Sequence, residues 1–224
     1  TARQEEITSQ PEVLAHHLGQ AGEHDRAIEF GLAAGMAALA RSANADAVAH
    51  GRKCLDWVAQ LPDDQGRGRL ELKIHGILTP ALMQSQGYSA PDVEESTGRA
   101  LKLLEIHGDQ PEAFPNLWGL NLYHHVRSER EQARDVAERF VTLAEESGDG
   151  SHLVAGLPSL SQCSWIEGNH TAAETDLMRC IELYDVAQHS MHGAMYGMDS
   201  LSYSWLTLSQ VFWITGRASK AAAA

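Results

Sequence analysis

Apolar residues recur at three- and four-residue spacings along nearly the whole chain, and Gly, Pro or a capping residue interrupts them about every 17 to 20 positions. Ser9-Gln10-Pro11-Glu12 supplies a capping serine, a first-turn proline and an acid, and the helix it opens is expected to end near Gly22. The pattern then predicts helices over 25–41, 44–61 (stopped by Pro62), 64–86 (closed by Gly87), 89–108, 110–126, 129–148, 151–168, 171–187 and 200–215. Between 187 and 197 the chain reads as a loop. Sustained alternation with a period of two is absent, so no strands are expected. Pro80 and Pro158 fall inside helical patterns and predict kinks or late helix starts.

The helix pattern repeats itself. Arg99-Ala-Leu-Lys-Leu-Leu-Glu105, Arg139-Phe-Val-Thr-Leu-Ala-Glu145 and Arg179-Cys-Ile-Glu-Leu-Tyr-Asp185 are 40 residues apart, and Lys53-Cys-Leu55-Asp-Trp57 is a weaker copy offset by 46. A glycine followed five residues later by alanine marks three further places: Gly22 and Ala27, Gly168 and Ala173, Gly216 and Ala221. Small residues there let antiparallel helices approach closely. A fixed period with two helices per copy implies hairpins that bury their apolar faces only against neighbours. The expected fold is therefore all-α: a right-handed solenoid of about ten antiparallel helices in one domain, 1–224. It resembles tetratricopeptide hairpins, although the period of about 40 exceeds their usual ~34.

Composition narrows the partners. The 224 residues carry a net charge of -13, which disfavours nucleic acid and anionic membrane surfaces. Hydrophobic residues make up 43% and aromatics only 6%, which suits closely packed helices. The cysteines, Cys54, Cys163 and Cys180, are odd in number and form no CxxC pair, as expected of a cytoplasmic protein with buried thiols. No apolar run approaches the ~18 residues of a membrane span, and the first residues lack a signal-peptide core. The chain opens on Thr1 rather than Met, and it is expected to be a segment of a longer polypeptide.

Several runs resemble one family in order. They are Pro11-Glu-Val-Leu-Ala-His-His17 with Gly22-Glu and Ala27-Ile28; Arg41-Ser-Ala-Asn44-Ala-Asp-Ala-Val-Ala-His50; Leu78-Thr-Pro-Ala-Leu-Met83 with Gly87-Tyr-Ser-Ala-Pro91-Asp-Val-Glu94; Phe114-Pro-Asn-Leu-Trp-Gly-Leu120; and Leu183-Tyr-Asp185 onward to Tyr203. Together they are similar to the tetratricopeptide-repeat region of bacterial multidomain signalling proteins. Those proteins join a class III adenylate/guanylate cyclase or a Ser/Thr kinase to an AAA/STAND ATPase and to helical repeats. Asp199 is followed by Ser200 where the family often has Asp-Pro. The chain holds no GxxxxGK[ST] loop, so the resemblance puts catalysis outside this segment and implies an interaction or regulatory role. Repeat domains of LuxR/MalT-like regulators are a near neighbour, and an inducer-sensing or small-ligand or metal receptor is the alternative.

Candidate chemistry is sparse. The pairs His16-His17 and His124-His125 are adjacent, so on a helix their side chains diverge by about 100°. His189 and His192 could share an ion only if helical, and neither HExxH nor a Cys/His zinc pattern occurs. No GxSxG elbow is present, and Cys163 beside Trp165 reads as core. No catalytic residue, metal site or cofactor is expected. Counting back from Ala133, Ala173 and Ala221 instead puts Trp118, His125, Gln162, Trp165, Tyr203, Gln210 and Trp213 on the first helices of successive hairpins. These residues would line a concave groove for a protein or peptide, including other domains of the parent chain. His189 and Asp199 are candidates on the inserted loop, which lengthens the last period to 48.

Overall fold

A computed structural model describes residues 10–62, 65–107, 113–189, 192–196 and 198–224. Among them the secondary structure is helical throughout, with no strand. The helices are α1 Pro11–Gln20, α2 His24–Ala40, α3 Asn44–Val58, α4 Gln65–Gln86, α5 Pro91–His107, α6 Ala113–Val126, α7 Arg130–Ser147, α8 Gly150–Ile166, α9 His170–Leu183, α10 Val186–His189, α11 His192–Met195, α12 Ser200–Ile214 and α13 Ala218–Ala221. The chain divides into two compact units, one ending at Asn116 and one starting at Leu117.

One turn is used five times. Gly22, Ser42, Ser128, Gly168 and Gly216 all adopt the left-handed conformation, with φ between 58° and 82°. After each, the next amide donates to a carbonyl five residues back: Glu23 to Leu18, Ala43 to Ala38, Glu129 to His124, Asn169 to Ser164 and Arg217 to Phe212. This double closure satisfies the last carbonyls of one helix and starts the next within two residues. The alanine five positions after the left-handed residue packs inward: Ala27, Ala47, Ala133 and Ala173 are all 0% exposed. The glycine–alanine spacing thus extends to Ser42–Ala47 and Ser128–Ala133, where serine replaces glycine.

The first unit packs Ala15, Leu18, Ile28, Cys54, Trp57 and Ile74 into one core. Gly31 lies under Cys54 and Trp57, and a Cβ there would collide with the Cys54 sulfur. In the second unit Phe140, Leu157, Leu177 and Leu208 are fully buried. The repeated Arg motif occupies the C-terminal half of α5 and α7, and its third copy runs past the end of α9 at Leu183. Arg99 clasps Glu71 with two hydrogen bonds of 2.6 and 2.7 Å, and Arg179 reaches Glu145 at 2.8 Å. Glu145 is itself the acid of the preceding copy, so the repeat ties neighbouring copies together. Its aliphatic register decays along the chain: Leu103 is buried, Leu143 half-buried and Leu183 exposed.

Several boundaries depart from expectation. Helix α9 stops at Leu183 rather than 187, because Tyr184 is extended (ψ 126°). The expected loop beyond it holds two helical turns, α10 and α11. The Asp185 carboxylate accepts the Ala187 amide (2.9 Å) and caps α10, an Asx signal the loop reading missed. Helices α4 and α8 run through Pro80 and Pro158 without starting late. The Ser9 cap lies outside the described residues. No helix among the described residues is long and apolar enough to cross a membrane.

Candidate functional site

Helix α12 is positioned at both ends. Asp199 caps it by accepting the Ser202 amide at 2.8 Å, and its other oxygen accepts the Tyr184 hydroxyl at 2.5 Å. The carboxyl is held below the usual range by these hydrogen bonds, while burial and then Asp199 push Tyr184 up to about 12. At the far end Arg217 clasps Glu174 of α9 with two bonds of 2.8 and 2.6 Å, its guanidinium 4.7 Å from the Phe212 ring. Between these anchors, Ser204, Thr207, Leu208, Val211 and Phe212 face inward onto Ala173 and Leu177 of α9.

The opposite face of α12 carries Ser202, Ser209 and Gln210 together with four exposed large apolar side chains. Trp205 is 36% exposed, Leu206 59%, Trp213 70% and Ile214 55%. Beside them opens a cleft of about 610 Å³ lined by Trp165, Gln210, Trp213, Ile214, Ala218 and Ala221, among others. The Trp165 indole N–H is buried there without a hydrogen-bond partner.

Of the seven groove residues read from the sequence, the cleft brings together Trp165, Gln210 and Trp213. Trp118 is buried and packs on Tyr196 with ring centroids 6.1 Å apart. His125 is half-buried with Nε2 3.5 Å from the Cys163 sulfur, and burial followed by His124 lowers its pKa. Gln162 is half-buried on α8, and burial pushes the half-buried Tyr203 phenol up. Of the two loop candidates, His189 is buried and Asp199 is half-buried. His189 Nδ1 accepts the Asp185 amide at 2.8 Å, and Asp199 serves as the α12 cap.

Two polar clusters escaped the sequence reading. In the second unit His192 packs at a tilt against His189 (centroids 4.9 Å) and edge-on to Tyr196, and its ring nitrogens meet Ser151 (3.1 Å) and Ser200 (3.3 Å). In the first unit a cleft of about 720 Å³ is lined by Arg52, Glu71, His75, Asp92, Ser96 and Arg99, among others. His75 Nδ1 lies 2.8 Å from Ser96 Oγ, which is 2.7 Å from Thr79, and His75 Nε2 is 3.9 Å from Glu71. The signal was available: Glu71, His75 and Thr79 interrupt an apolar run at i, i+4 and i+8.

Ser96, His75 and Glu71 stand in the order of a nucleophile, base and acid, but the geometry is that of a satisfied interhelical network. Ser96 is 3% exposed in mid-helix, where backbone amides are already paired and none is aimed at an oxyanion. Burial pushes His75 down to about 4, too weak a base for that role. The cysteines behave as apolar residues: burial raises Cys54 to about 12, and Cys163 and Cys180 to about 11. Among the described residues no group of three or more His, Cys, Asp or Glu could hold a metal ion.

No family model and no curated protein matches this sequence. Among solved structures the chain is similar to BtubC (BKLC) from P. vanneervenii, with a TM-score of 0.69 at 16% identity, over 99% of this chain and 87% of that one. At that identity the likeness is one of all-helical fold.

Proposed function

We propose that this chain is a non-catalytic scaffold for protein–protein contacts, built as a right-handed solenoid of tetratricopeptide-like hairpins. The observation that carries the reading is the solvent face of α12, where Trp205, Leu206, Trp213 and Ile214 are exposed and the last two line an apolar cleft. Contiguous patches of this kind mark interaction sites, and Trp with polar tips such as Gln210 is the usual anchor chemistry. Five identical turns and a 40-residue repeat support the solenoid. The ordered resemblance to bacterial signalling ATPases supports a regulatory role beside an attached cyclase, kinase or NTPase in the cytoplasm. The acidic balance favours a protein or peptide partner over nucleic acid.

The test is a retention experiment on immobilised chain, run with wild type and a Leu206→Glu/Trp213→Ala variant, beside assays for nucleotide and ester hydrolysis. One defined protein retained by wild type and lost in the variant, with no turnover, is the expected result. Turnover that survives purification would overturn the reading.

A further inference from the structure

The cleft of about 720 Å³ in the first unit is lined by residues of α3, α4 and α5, and one position of the internal repeat changes character there. The residue before the repeated arginine is Glu138 on α7 and Met178 on α9, but Gly98 on α5. Glycine weakens a helix interior relative to alanine, and no close packing requires it at this position: a Cβ on Gly98 would meet nothing within 4 Å. The space it leaves belongs to the cleft, which Gly98 lines together with Leu55, Leu78, Leu82 and His75. His75 is 4% exposed. Ser96 engages its Nδ1, and Nε2, 3.9 Å from Glu71, is the open end of that network.

The charged groups of the cleft are of two kinds. Arg52 of α3 donates to Asp92 of α5 at 2.5 Å, and Arg99 clasps Glu71. Glu94, Glu95 and Lys102 also line the cleft, and among the described residues their side chains have no hydrogen-bond or ion-pair partner. Glu95, Gly98 and Lys102 stand at i, i+3 and i+7, so one stripe of α5 carries an acid, a gap and a base. Seven residues set the two charges about 10 Å apart along the axis, too far to pair with each other.

We infer that, beyond the scaffold role of α12, this cleft binds a free peptide of about three extended residues with both ends charged, a length that spans ~10 Å. The peptide's ammonium group meets Glu94 and Glu95, and its carboxylate meets Lys102. Its backbone passes Gly98, and an apolar middle side chain lies on Leu55, Leu78 and Leu82. A peptide carbonyl accepts from His75 Nε2–H, the tautomer in which Nδ1 accepts from Ser96. The cleft volume falls within the ~300–1,000 Å³ of small-ligand sites.

The test titrates the full chain with the tripeptide Ala-Leu-Ala at pH 7, by calorimetry and by amide NMR. One saturable site with Kd below about 1 mM is expected, with shifts confined to α3, α4 and α5. The same peptide acetylated at one end and amidated at the other is expected to bind about tenfold more weakly or worse, as is the free peptide to Lys102→Ala. Gly98→Leu fills the gap with a good helix former, so it is expected to keep or raise Tm while abolishing binding. Absence of saturable binding overturns the inference. So does capped peptide that binds as tightly as free peptide, or undiminished binding in Lys102→Ala or in folded Gly98→Leu.

Discussion

His75 and His192 are each 4% exposed, and each is pushed down to about 4, His75 by burial and His192 by burial and then by neighbouring His189. Both are neutral in the folded chain near pH 7, whereas in the unfolded chain they protonate near the ordinary value of ~6.5. Between about pH 6.5 and 4 the unfolded state therefore binds more protons, and stability falls as pH falls through that window. Each group removes about 2–3 kcal/mol by pH 4. Urea titrations from pH 7.5 to 4 are expected to show this loss, and His75→Gln is expected to flatten the slope by close to one proton. The turn residues offer a second test, because serine in the left-handed region carries a steric cost glycine avoids. Ser42→Gly and Ser128→Gly are expected to raise stability by about 0.5–1 kcal/mol, and Gly168→Ala to lower it by about 1 kcal/mol, in thermal melts. Gly31→Ala meets the Cys54 sulfur and is expected to cost about 1–3 kcal/mol.

At the scale of the element, four helices of the second unit have side-chain caps among the described residues: Asp149 for α8, Asn169 for α9, Asp185 for α10 and Asp199 for α12. Removing such a cap costs about 1 kcal/mol. Asn169→Ala is expected to show that cost in chemical denaturation, and Asp199→Ala more, because Tyr184 loses its acceptor as well. Helix positions were the most legible feature of the sequence, since each boundary is a local event of cap, glycine or proline. Where the reading failed, local and tertiary signals competed. Helix α9 ended early at extended Tyr184, and the segment after it folded into two short turns organised by Asp185 and by buried rings of His189, His192 and Tyr196. Periodicity carries no information about such ring contacts.

Across the whole chain, the 40-residue repeat pointed to hairpins whose equivalent residues have equivalent neighbours. That rule placed Trp165, Gln210 and Trp213 around one cleft. It overreached at Trp118, whose equivalent on α12 is exposed Leu206 but which itself is covered by Tyr196. The repeat gives position on a helix, while exposure depends on what packs next. The Glu71–His75–Thr79 stripe of α4 was legible at i, i+4 and i+8, but Ser96 sits on α5, and only packing joins the two helices.

The most direct test of α12 as the working face is an amide and indole NMR titration with the protein that the immobilised chain retains. Saturable shifts confined to α12 and the end of α8, including the indole N–H signals of Trp213 and Trp165, and absent in Trp213→Ala, are expected. Shifts elsewhere, no shifts at all, or an unchanged response in Trp213→Ala would contradict it.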